Sequence, residues 1–118
     1  MRFCAFLFGI VFIGLGIAGF LTVDNYLFGV LSINRWLNSL YIATGLVMCV
    51  IGFMKIKWIT LAFQILGIAY ALLAVLGFVY GEQNILGVFA SNPANTWLHV
   101  IAATNALILG YGSKPVNL

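Results

Sequence analysis

Very little of this sequence is charged. Two acidic residues, Asp24 and Glu82, and five basic ones make up 6% of the chain, while 64% of it is hydrophobic. A soluble surface carries about a quarter to a third charged residues, so a water-facing exterior is excluded for a chain of 118 residues. The dense basic stripe that binds nucleic acid is missing as well. Cysteine is scarce. Cys4 and Cys49 both fall in apolar runs without CxxC spacing, which excludes a zinc or redox motif and leaves two small apolar side chains. The single histidine is His99. A transition-metal site needs several His, Cys or carboxylate ligands, so no metal and no other cofactor is expected. Walker loops, dinucleotide fingerprints and zincin motifs are absent. The apolar runs are too continuous for the alternation of a membrane barrel.

What remains is a series of long apolar segments. Four of them approach the roughly 20 residues needed to cross a bilayer, at about 3–21, 37–53, 58–80 and 94–112. The first follows Arg2 like a signal peptide. It is longer than an ordinary signal core and lacks a small-x-small cleavage site, so an uncleaved helix is expected. The second helix has Ser32 or Asn34 as its cap, and Asn92–Pro93 is an N-cap followed by a first-turn proline. Gly9, Gly14, Gly16, Gly45, Gly67 and Gly77 lie inside spans, where small residues let helices approach closely.

Charge placement orders these spans. Arg2, Lys55 with Lys57, and Lys114 mark one side, while Asp24 and Glu82 mark the other. The positive-inside rule then places both termini and the Lys55–Lys57 turn in the cytoplasm. Arg35 alone dissents. Tyr26, Trp36, Trp58, Tyr80, Trp97 and Tyr111 fit the aromatic belt at span ends. The expectation is one domain, residues 1–118, multi-pass, with N- and C-termini cytoplasmic.

An internal repeat runs through the chain at an offset of 58. YLFGVLSINRWLNSLY (Tyr26–Tyr41) aligns with ILGVFASNPANTWLH (Ile85–His99). Gly29 meets Gly87, Val30 meets Val88, Asn34 meets Asn92 and Leu40 meets Leu98. Tyr41 falls on His99, and Gly52 meets Gly110. The expected fold is an all-α, polytopic membrane four-helix bundle built from two parallel helical-hairpin repeats, with halves 1–56 and 57–118. An even number of spans per unit keeps both units pointing the same way. The loops 27–33 and 86–90 are expected to form short turns or half-helices at the outer interface that tuck apolar side chains over the bundle mouth.

The second copy also carries a signature. Gly87, Phe89, Asn92 and His99 resemble the Gly-x-Phe-x-x-Asn, then His, pattern of a bacterial family of small four-helix membrane proteins catalogued as a domain of unknown function. Asn95, Thr96 and Ala103 stand where that pattern has His, Asn and Gly. The first repeat keeps Asn34, Asn38 and Gly45 at related places. The resemblance implies architecture and a place in a bacterial plasma (inner) membrane, and supplies no activity.

Asn34, Asn92, Asn95 and His99 are the candidate cap and functional residues. His99 is expected to pack between helices, bonded to Asn95 or to a backbone carbonyl. An axial ligand to haem or a pigment is its alternative role. Gln64 and Asn105 are expected to form a buried polar contact between the third and fourth helices. No catalytic set emerges: Thr96, Asn95 and His99 make no nucleophile, base and orienter. With almost no extramembrane mass, the leading expectation is a non-enzymatic accessory or structural subunit. Its partners are the lipid bilayer and other membrane chains or copies of itself. The small-residue series Gly9–Gly19 is expected to be used inside the bundle, with packing against a partner chain as its alternative use. A transporter or channel-like component is the runner-up.

Overall fold

Apolar runs without interior proline fold here into four helices. The computed structural model describes residues 2–22, 26–27 and 31–112. Asp24, Asn25, Gly29, Val30 and Lys114, which carry part of the topology and repeat reading, lie outside the described residues. The order is α1 (Arg2–Leu21), β1 (Tyr26–Leu27), β2 (Leu31–Ser32), α2 (Arg35–Ile51), α3 (Ile56–Tyr80) and α4 (Pro93–Tyr111). The fold is all-α apart from the two-residue strands. The second helix begins and ends two residues before the bounds expected from hydropathy. Capping explains its start. Asn34, not Ser32, stands at the N-cap with extended backbone, and its side chain accepts a 2.8 Å bond from Leu37 N. Asn92 does the same for α4, accepting 2.7 Å from Asn95 N ahead of Pro93.

Packing is extensive within two helical hairpins, α1 on α2 and α3 on α4. Between the hairpins, α2 meets α3 lightly, and α1 meets α3 lightly. The backbones of α1 and α4 stay further apart and flank a groove. Glycine sets the close approach within each hairpin. A Cβ on Gly19 would collide with the Asn38 side chain, and one on Gly77 with Thr96 Oγ1. Gly9, Gly16 and Gly19 are buried by α2, whereas Gly14 faces outward with open space around it. The Gly9–Gly19 series is therefore used inside the bundle, as expected, and not in its alternative role against a partner. Its small faces are consumed inside the first hairpin, where helix backbones need that room.

Each connection at the end carrying Glu82 holds a tight antiparallel hairpin. Leu27 pairs with Leu31, and Ile85 pairs with Phe89. Leu86 and Gly87 both have positive φ (54° and 74°), the requirement of a primed hairpin turn. Leu27 and Ile85 are buried under these turns, while Leu86 is exposed. At the opposite end, the Arg2 guanidinium donates to the Gly52 carbonyl.

Two apolar clusters fill the bundle. One gathers Phe12, Leu37, Tyr41, Tyr70, Ala90, Ala102 and Ala103. The other gathers Ala5, Met48, Ile59, Phe63 and Ala106. The outside is equally apolar, with Phe3, Ile10 and Ile17 exposed on α1, Val50 on α2, Leu72 and Val79 on α3, and Ile101 and Ile108 on α4. An exterior of that kind is matched to lipid, not water. Helices α1 and α3 are each long and apolar enough to cross a membrane.

Candidate functional site: a buried polar layer between the hairpins

The polar side chains of the sequence signature converge in one buried layer. Asn38, Tyr41 and Thr44 enter from α2, Tyr70 from α3, and Asn95, Thr96 and His99 from α4, all buried. Helical spacing explains the set: 38, 41 and 44 are three apart, and 92, 95, 96 and 99 lie on one face.

His99 is 1% exposed, and its Nε2 shares a 2.7 Å hydrogen bond with Tyr41 Oη. This corrects the expectation that Asn95 or a carbonyl would hold it. Asn95 is already engaged elsewhere: its Nδ2 donates to the Ser32 carbonyl at 2.6 Å and to the Ala90 carbonyl at 3.3 Å. The His99 ring lies between Tyr41 and Tyr70, with centroids 6.0 and 5.6 Å away. Tyr70 Oη shares a 3.0 Å bond with Thr44 Oγ1. A planar macrocycle finds no open face on this histidine.

The outer connections are tied together at the same level. Asn34 Nδ2 donates 2.7 Å to the Val88 carbonyl. Asn34 and Asn95 thus bond across from one connection to the other. Ser91 Oγ donates to the Gly81 carbonyl at 2.8 Å, and Thr96 Oγ1 donates to the Asn92 carbonyl at 3.1 Å. Among the described residues, three buried polar atoms lack a partner: Asn38 Oδ1, Asn95 Oδ1 and His99 Nδ1. No three His, Cys, Asp or Glu side chains among the described residues are gathered in a way that could hold a metal ion.

Gln64 and Asn105 do not meet, which corrects the expected contact. Gln64 Nε2 donates 2.9 Å to the Gly110 carbonyl, whereas Asn105 is exposed on the groove between α1 and α4. Helical phase is the reason. The α4 face turned to α3 carries Ala103, Ala106 and Gly110, and Asn105 lies on the face of Ile101 and Ile108.

Sequence reasoning did not single out Tyr70 and Thr44. Their signal was present but weak, as polar groups within spans. Several residues 58 apart have similar surroundings. Asn34 and Asn92 cap, Leu27–Leu31 and Ile85–Phe89 pair, and Gly19 and Gly77 face residues 38 and 96.

These positions lie within a stretch, residues 2–112, that matches the domain of unknown function DUF4383. The chain belongs to the DUF4383 family. No curated protein and no solved structure matches it. With the family assignment, the apolar exterior and the two long apolar helices together, the DUF4383 chain is a small membrane protein with an all-α four-helix fold.

Proposed function

We propose that this chain crosses the bilayer four times as two parallel copies of one helical hairpin, and that it acts as a non-enzymatic accessory or structural subunit. Helices α2 and α4, at 17 and 19 residues, would rise about 26 and 28 Å, near the roughly 30 Å hydrocarbon thickness. The bundle's 46 Å long axis is compatible with a bilayer including its headgroups. Arg2 beside Gly52 brings the N-terminus to the Lys55–Lys57 end, in keeping with both termini being cytoplasmic in a bacterial inner membrane.

The observation that carries the reading is the Tyr41–His99 bond. These residues are 58 apart, as are Phe12 and Tyr70, whose rings lie 5.2 Å apart. A residue touches its own repeat mate only near the axis relating the two copies. Such contacts favour a pseudo-two-fold axis along the membrane normal. They also favour buried polar groups that serve as ties between halves, not as the lining of a path.

Isolation from native membranes in mild detergent tests the role. A stoichiometric membrane partner is expected. Substrate-dependent flux in vesicles abolished by Gln64→Ala would instead favour transport, and a Soret band lost in His99→Ala would favour pigment binding.

A further inference from the structure

The outward face of α4 carries two adjacent polar side chains well inside the helix. Trp97, Ile101, Thr104, Asn105 and Ile108 are all exposed there. Neither Thr104 nor Asn105 has a hydrogen-bond partner among the described residues. Asn105 lies six residues inside the end of α4 at Tyr111, a rise of about 9 Å, which puts its amide within the hydrocarbon. A polar group in that position is costly unless something hydrogen-bonds to it.

The chain contains its own control. The residues 58 positions earlier, Leu46 and Val47, occupy the equivalent exposed face of α2 and are fully apolar. That is the lipid-adapted version of the same surface. The grooves beside the two faces correspond as well. The one between α2 and α3, beside Val47, holds about 340 Å³. The one between α1 and α4, beside Asn105, holds about 490 Å³. The second half has therefore gained both a hydrogen-bonding pair and room next to it.

We infer that the Thr104–Asn105 face of α4 is the docking surface for a second copy of this chain. The choice of occupant follows from the chemistry of the amide. A carboxamide offers both donor and acceptor, and a two-fold axis brings each residue to its own copy. Asn105 paired with Asn105 satisfies both groups at once, which a lipid chain cannot do. Ile101 and Ile108 flank the pair and insert into the wider groove of the opposite copy. The inference rests on the proposal that α4 crosses the bilayer.

The test uses the full chain in phospholipid vesicles. In a Cys4→Ala/Cys49→Ala background, Ile108→Cys is expected to form an intermolecular disulfide on mild oxidation. Val50→Cys, its counterpart on α2, is not expected to do so. Fluorescence transfer between labelled copies is expected to show a dimer, weakened about tenfold or more by Thr104→Leu/Asn105→Val, since each membrane hydrogen bond is worth roughly 0.6–2 kcal/mol. Equal cross-linking at both positions, a wild-type monomer, or a monomer that retains bound lipid through Asn105 would overturn the inference. Accessibility of Glu82→Cys and Tyr111→Cys separates the two failures. Labelling of both cysteines from the same side would mean that α4 does not cross, so the proposed topology itself has failed.

Discussion

At the scale of single residues, His99 decides how the polar layer is understood. Its Nε2 is buried and has Tyr41 as its partner. Removing that hydroxyl leaves an unsatisfied buried nitrogen, which costs about 1–3 kcal/mol, whereas replacing both partners with apolar groups is far less harmful. Tyr41→Phe is therefore expected to destabilise the protein by that amount against denaturation in mixed micelles, and Tyr41→Phe/His99→Leu to recover part of the loss. Equal stability of Tyr41→Phe and the native chain would remove the tie from the account. The caps at Asn34 and Asn92 could be read in advance, because an N-cap depends only on local chain chemistry. The Tyr41–His99 pairing could not. Alignment at an offset of 58 put both residues at one position, but only packing brings the two side chains together. Asn105 was misjudged for the opposite reason. Apolar residues surround α4 on every face, so the pattern carried no phase from which to tell inside from out.

At the scale of elements, glycine sets the helix spacing, and each hairpin does this at the same register. Gly77 admits the Thr96 side chain as Gly19 admits Asn38. A methyl at Gly77 overpacks that contact, a change that costs typically 1–3 kcal/mol. Gly77→Ala is expected to lower stability in the same micelle assay, with Thr96→Ala restoring much of the loss in the double variant. Additive losses would show that the two positions are not coupled. Glycines within spans announced close helix packing from sequence alone. Their direction was not legible, and the Gly9–Gly19 series shows why: it contains Gly14, which faces outward, as well as Gly9, Gly16 and Gly19, which face α2. Spacing alone does not say which glycines meet a neighbour.

At the scale of the whole molecule, composition carried most of the fold. A chain with 6% charge and an apolar exterior is suited to lipid. In the proposed topology the chain crosses the membrane four times, with its two hairpins pointing the same way. Single cysteines at Arg35, Lys55, Glu82 and Tyr111, in a background without Cys4 and Cys49, test this directly with a membrane-impermeant maleimide on intact and permeabilised cells. Labelling is expected of the cysteines at 35 and 82 from outside, and of those at 55 and 111 only after permeabilisation. Labelling at 55 in intact cells, or the same sidedness at both ends of α2 or of α4, would contradict that topology.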